Sequence, residues 1–291
     1  MRGPFRERSL KELSESKPTT LATMDIGAIE VLGALGQGAR SHVMLVRRAA
    51  DGQTYALKVT NVGKKSERKY LDQARREYRT LGRLDHPNIV RAFALETETD
   101  WLLRPTRTKL LLEYVPGQTL DRLVQPPLEE MLRAFEQIAD AVAHLHENGL
   151  LHADLKPNNI LLAPHAAKLI DFGLAREIGE DTGRLQGTPE YMAPETATRK
   201  IVDVASEIFS FAAAMYRMVT GQHPPLSAGT FPMTDRAYRE RYRPAIGLNP
   251  HLPPKLAALL DHCLSFDPHQ RPASMNDVCL ELNRVVDRLN A

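Results

Sequence analysis

The chain has 291 residues, 43% of them apolar and 25% charged, with a formal net charge of +2. That length allows one large domain or two lobes, and the composition is that of an ordinary globular chain. A balance this near neutral argues against the broad basic face that nucleic acid or an anionic membrane needs, so neither is expected as a partner. Two cysteines, Cys263 and Cys279, make neither a disulfide framework nor a Cys-rich metal site, and they fit a reducing compartment. The ten histidines include no His-x-x-x-His pair of the kind that binds zinc. No apolar run reaches the ~18–20 residues that span a bilayer. The longest, Phe209 to Val219, is broken by Ser210 and Arg217 and reads as a buried helix. Residues 1–20 hold no apolar signal core, and a soluble, cytoplasmic protein is expected.

Residues 1–25 are rich in Arg, Glu, Lys and Ser and are expected to form a mobile arm, with a short helix around Leu10 to Ser14. Ile29 to Leu35, Ser41 to Arg48 and Thr54 to Thr60 read as three antiparallel strands, with Asp51-Gly52 as a hairpin turn. Lys69 to Leu84 is expected to be a helix, with Leu71, Ala74, Tyr78, Leu81 and Leu84 on one face. The basic cluster Lys64, Lys65, Arg68, Lys69, Arg75 and Arg76 is interspersed with Glu67, Asp72 and Glu77, so it reads as a solvated face. Ile89 to Leu95 and Lys109 to Tyr114 are two further strands, and Glu96 to Thr108 between them reads as a polar connector. After Pro116-Gly117 the chain turns helical. Leu128 to Asn148 is a long amphipathic helix stopped by Gly149. Glu207 to Thr220 is apolar nearly all round and belongs at the centre of its lobe. Lys255 to Ser265 and Met275 to Leu289 are further helices. The expected class is α+β: a small antiparallel-sheet lobe with one main helix (26–115), a hinge near Glu113 to Gly117, and a larger, mostly helical lobe (116–291). A cleft between two lobes is where a ligand usually sits.

The chemistry concentrates in His152-Ala153-Asp154-Leu155-Lys156-Pro157-Asn158-Asn159 and in Asp171-Phe172-Gly173. Asp154 can receive a hydroxyl proton, and Lys156 can neutralise a transferring phosphate. Asn159 and Asp171 can hold magnesium. Upstream, Leu35-Gly36-Gln37-Gly38-Ala39-Arg40-Ser41-His42-Val43 joins two strands, and its glycines let backbone N–H groups approach phosphate oxygens. Tyr55-Ala56-Leu57-Lys58-Val59 places a lysine in an apolar strand, where it needs a carboxylate partner. Downstream lies Gly187-Thr188-Pro189-Glu190-Tyr191-Met192-Ala193-Pro194-Glu195.

In this order, over about residues 26–289, these motifs resemble the catalytic domain of the eukaryotic-like (Hanks-type) protein serine/threonine kinases, with a bacterial flavour. The resemblance implies the bilobal kinase fold and transfer of the γ-phosphoryl of ATP, with magnesium, to Ser or Thr hydroxyls of protein substrates. It implies that Leu35, Gly36, Gln37, Gly38, Val43, Ala56 and Leu161 surround the nucleotide. Lys58, oriented by Glu77, would hold its phosphates. Backbone groups of Glu113 and Val115 would recognise adenine, with Leu112 controlling the back pocket. Asp154 would be the catalytic base, assisted by Lys156, Asn159 and Thr188, and Asn159 and Asp171 would bind the metal. Glu195 would pair with Arg271 as a structural link.

The pattern departs from the family at a few positions. Ser41 stands where a third glycine is usual. Ala153 replaces an arginine that receives a loop phosphate, so activity is expected without strict need for activation-loop phosphorylation, and Arg176 is expected to pair at most weakly with a phosphate on Thr182. Glu207 and Ala212 stand where an aspartate and a glycine are usual. Glu207 is expected to accept N–H groups near His152 and Ala153, with Asp203 the alternative. On that reading Asp203→Ala is near neutral. Two rival readings share the fold. A module that binds without transferring phosphate is disfavoured by intact Lys58, Asp154 and Asp171, and a small-molecule kinase by the Gly187–Glu195 segment.

Overall fold

The structure is a computed structural model that describes residues 25–38, 41–62, 68–124, 126–164, 166–181, 185–199, 202–225 and 233–289. The expected arm at 1–24, its short helix, Lys64, Lys65, Glu67 and Thr182 lie outside the described residues.

Five strands form the first sheet: β1 (Ile29–Gln37), β2 (Ser41–Arg48), β3 (Thr54–Asn61), β4 (Ala92–Thr99) and β5 (Pro105–Glu113). They are antiparallel in the order β1-β2-β3-β5-β4, which puts β3 at the centre. Strand periodicity then decides where each side chain goes. Tyr55, Leu57 and Val59 enter a small core with Ile26, Val46, Ala94 and Leu111, while Ala56 packs into the other, larger core. Lys58 has the parity of Ala56, so it emerges on the side facing the second lobe. Helix α1 (Arg68–Leu81) lies against this sheet and buries Leu71, Ala74, Glu77, Thr80 and Leu81.

Two sequence expectations need correction here. The polar stretch Glu96 to Thr108 is mostly strand, and only residues 100–104 turn. Glu96↔Lys109, Thr97↔Thr108 and Glu98↔Arg107 stand opposite one another across β4 and β5, and Lys109 bonds Glu98 at 2.5 Å. Cross-strand charge pairing thus stabilises strand ends that apolar patterning cannot reveal. The Asp100 carboxylate accepts from the N–H groups of Leu102 and Arg104 and closes the turn. Ile89 and Val90 precede β4 and instead bridge to Leu169 in the second lobe.

The second lobe is built round α4 (Val204–Thr220), whose Ile208, Phe209, Phe211, Ala212, Ala213, Ala214, Met215 and Tyr216 are all buried. Helix α2 (Leu128–Glu147) and α8 (Met275–Leu289) pack together, and α7 (Pro254–Cys263) packs on both α4 and α8. Gly149 has φ +71°, a left-handed stop that only glycine adopts readily. Helix α4 starts three residues earlier than expected because Asp203 caps it: its carboxylate accepts from Ser206 N–H while the Ser206 hydroxyl accepts from Asp203 N–H. Short elements complete the lobe: β6 (Gln118–Thr119), β7 (Leu150–Leu151), β8 (Ile160–Ala163), β9 (Ala166–Leu169), β10 (Arg176–Glu177), α3 (Pro194–Arg199), α5 (Asp235–Arg241) and α6 (Ala245–Leu248). The chain passes between lobes at Glu113 to Gly117. The Gly117 α-carbon lies so close to the Leu162 carbonyl that a β-carbon would be driven into it. Among the described residues no helix is long and apolar enough to cross a membrane.

Candidate active site

A cleft of about 370 Å³ lies between the lobes. Every residue expected at the nucleotide or the metal lines it: Leu35, Gly36, Gln37, Gly38, Val43, Ala56, Lys58, Glu77, Glu113, Val115, Asn159, Leu161 and Asp171, with Leu112 at the back. Strands β1 to β3 supply the roof, the hinge the rear edge and β8 the floor.

On the upper wall, Lys58 Nζ donates to both oxygens of Glu77, at 2.8 and 3.0 Å, and to Asp171 Oδ1 at 2.8 Å. The Glu77 side chain is 2% exposed, so its charge is stabilised by this pairing. Burial disfavours the Lys58 ammonium, but the two carboxylates outweigh it and hold its pKa above the ordinary value. The Lys58 charge pulls the Asp171 carboxyl down to about 2, against burial. Asp171 adopts a left-handed backbone, φ 62° and ψ 70°, at the start of a short turn, Phe172–Leu174. A non-glycine residue held there is strained, and such strain collects at functional sites. Phe172 fixes the turn: it is fully buried and meets the His152 ring edge-on at 4.8 Å.

On the lower wall, Asp154 Oδ1 accepts from the Thr188 hydroxyl and Oδ2 from Lys156 Nζ, each at 2.7 Å. Lys156 Nζ also donates to Thr188 Oγ1 at 2.7 Å, which closes a triangle. Asn159 Nδ2 donates to Asp154 O at 2.8 Å and to Oδ2 at 3.2 Å, leaving its amide oxygen as the donor atom for a cation. Ile170 N–H bonds Asn159 O at 2.9 Å, which seats Asn159 beside the Asp171 turn. Among the described residues no group of three His, Cys, Asp or Glu stands ready to hold a metal. One amide and one carboxylate oxygen suit magnesium nonetheless, because that ion takes few protein ligands and completes its shell with phosphate and water.

The lower wall is rooted in α4. Glu207 is 1% exposed, and its carboxylate accepts Ala153 N–H at 2.7 Å, His152 N–H at 3.2 Å and His146 Nε2 at 2.8 Å. Burial alone would raise its pKa. The His146 hydrogen bond and charge, the His152 charge and the Ala153 N–H reverse that and leave it lowered. Glu207, not Asp203, thus holds the loop, but Asp203 is engaged as the α4 cap, so its removal is expected to cost stability. Ala153 sits at φ 64°, a second strained position on this loop. Arg271 meets Glu195 through two bonds of 2.6 and 2.9 Å, as expected. Arg176 is 3% exposed, with hydrogen bonds to Leu174 O and Gln186, so it is committed inside the lobe.

Sequence reasoning missed His146, whose signal is a histidine in the last turn of α2, six residues before His152. It missed Lys168, which holds the Glu113 carboxylate at 2.7 Å and ties the hinge to β9. Nothing local in the sequence marks that pair.

The protein kinase domain family matches residues 29–281. The serine/threonine-protein kinase pkn2 of Myxococcus xanthus is 32% identical over 68% of this chain and 25% of its own length. The serine/threonine-protein kinase AtPK2/AtPK19 of Arabidopsis thaliana is 33% identical over 90% of this chain and 55% of its own. PrkC of Bacillus subtilis (strain 168), also a serine/threonine-protein kinase, is 27% identical over 91% and 42%. The chain therefore spans between about a quarter and about half the length of these curated relatives. With a two-lobed fold, a cleft lined as the motifs require and a family match over most of its length, the chain belongs to the protein kinase domain family.

Proposed function

We propose that this domain is an active, magnesium-dependent protein serine/threonine kinase that transfers the γ-phosphoryl group of ATP to protein hydroxyls. The observation that carries the reading is that Lys58 is closed on Glu77 in the cleft while Asp154, bonded to Lys156 and Thr188, is tied to Asn159 on the cleft floor. Phosphoryl transfer depends mainly on positioning and charge neutralisation, and both sets of groups are in place. Lys58 holds the α- and β-phosphates, and the Glu77 pairing keeps its ammonium aimed into the cleft. Gly36 and Gly38 let main-chain N–H groups approach the phosphates, while Val43, Ala56 and Leu161 enclose the adenine. The Glu113 carboxylate is occupied by Lys168, so recognition at the hinge falls to main-chain groups of Glu113 and Val115. Asn159 and Asp171 would hold magnesium, which when bound would neutralise charge developing on the phosphates. Asp154 orients the substrate hydroxyl and takes its proton, while Lys156 offsets charge on the moving phosphoryl group and Thr188 fixes both side chains. Lys156 favours serine and threonine as acceptors.

Labelled ATP with a generic protein substrate tests the reading. The expected outcome is magnesium-dependent label on serine or threonine that disappears in Asp154→Asn. ATP binding without label would make the chain a binding module instead, and label in small molecules alone would make it a small-molecule kinase. With Ala153 in place of a phosphate-binding arginine, phosphatase-treated enzyme and Thr182→Ala should each lose less than ~10-fold in kcat/KM, equivalent to ~1.4 kcal/mol.

A further inference from the structure

The start of the segment after the Asp171 turn carries carboxylates that meet α1. Arg76 donates to Glu180 Oε1 at 2.7 Å, and Arg83 to Glu177 Oε1 at 3.0 Å. Arg83 also reaches the carbonyl of Asn148 at the end of α2, at 3.2 Å. Arg76 lies on α1 and Arg83 in the turn that closes it, so the two contacts hold the middle and the end of the helix. The carboxylates stand on fixed backbone. β10 pairs with β7, Arg176 with Leu151 and Glu177 with Leu150, and β7 leads directly into His152. Ile178 N–H bonds Gly149 O at 2.9 Å, and Glu180 N–H bonds Glu177 O at 3.1 Å, which turns both carboxylates towards the helix. Arg76 immediately precedes Glu77. One residue is about 100° of helix rotation, so holding Arg76 sets the rotation that aims Glu77 at Lys58.

We infer, resting on the kinase reading above, that Glu180 and Glu177 are a built-in substitute for an activation-loop phosphate: Glu180 through Arg76, and Glu177 through Arg83 in the turn after it, dock α1 and keep Glu77 on Lys58. Arg76 and Glu180 are positioning residues for Lys58, which is the group that touches phosphate. The arrangement accounts for a chain that lacks the arginine before Asp154 yet has its Lys58–Glu77 pair closed. Arg76 and Glu180 are 42% and 33% exposed, and Arg83 and Glu177 are 49% and 69% exposed, so these are surface pairs and the first is the stronger. Their effect is a bias on where α1 rests, not a lock.

A charge swap tests this on phosphatase-treated full chain. Arg76→Glu and Glu180→Arg should each lower hydrogen-exchange protection of the α1 amides and reduce kcat/KM for ATP by ~2- to 5-fold, the range set by a partly exposed ion pair. The double reversal should restore both readouts to within about twofold of wild type, and Arg76→Lys should stay close to wild type. Single effects that simply multiply in the double variant, or α1 protection unchanged in both single variants, would overturn the inference. Should the wild type transfer no phosphate, the kinase reading fails, and the exchange measurement still decides the clamp.

Discussion

On the upper wall of the cleft Lys58, Glu77 and Asp171 come from three separate elements, β3, α1 and the turn after β9, and meet only as charges. On the lower wall Asp154, Lys156 and Asn159 share one loop, and that loop is nailed down by main-chain N–H groups donating to Glu207, itself buried in the core helix α4. The first arrangement depends on how the lobes sit and on where α1 rests. The second depends on the core that folds the larger lobe. A substitution at the half-exposed Asp171 above should therefore alter activity with little change in stability, whereas substitutions below should alter both.

The largest expected effect breaks the upper wall. Asp171→Ala and Lys58→Met should each cut kcat by at least ~100-fold, the scale of losing a preorganised charge at the reacting group. Thermal unfolding should change little for Asp171→Ala, because Asp171 is half exposed, whereas Lys58→Met leaves the buried Glu77 carboxylate without its cation and should also lower Tm. Steady-state kinetics beside a melting curve separates the two, and turnover within a factor of two of wild type would remove these residues from the mechanism.

Next in size is Glu207. Glu207→Ala strands two buried N–H groups and His146, and should cost about 3 kcal/mol of stability and several degrees of Tm, with a fall in kcat. Glu207→Asp should be milder. The pH dependence sharpens the point. The Glu207 carboxyl is lowered in the folded state from its ordinary 4.5, so its contribution is present above about pH 4.5 and is lost as pH falls through the lower folded value. Glu207→Gln should flatten the acid limb of a stability-versus-pH curve. An acid limb identical to wild type would show that the carboxylate does not hold the loop.

The smallest effects lie beside these. Asp203→Ala removes the α4 cap and should cost about 1 kcal/mol with kcat nearly unchanged. Ala153→Gly relieves a left-handed alanine and should stabilise by under ~1 kcal/mol, because glycine's greater freedom in the unfolded chain offsets part of the gain. Denaturant unfolding reads both. A larger loss for Asp203→Ala than for Glu207→Ala would reverse the ranking of the two carboxylates.

The lower wall was the more legible in sequence. Its chemistry needs an acid, a lysine and an amide within six residues, Asp154 to Asn159, and a contiguous motif survives being read in one dimension. Lys58 was legible because an ammonium in an apolar strand demands a partner, and Glu77 lay on the next helix. The ends of β4 and β5 were not, since Glu98, Arg107 and Lys109 satisfy one another only after the strands pair. The α4 start was hidden because Asp203 and Ser206 cap each other through side chains without any apolar signal. His146, Lys168 and the Arg76–Glu180 contact join segments up to about a hundred residues apart, and no local pattern encodes such meetings.

The bare α-carbon of Gly117 bears on all of this mechanically. The crossing between lobes rides directly on the Leu162 carbonyl, with no room for even a methyl group. The contact lies inside the larger lobe, where the neighbouring Gln118 pairs with Leu162 across β6 and β8, and it fixes the point at which the chain leaves the hinge. A single methyl at position 117 would push the chain off the β8 backbone just where it leaves the hinge.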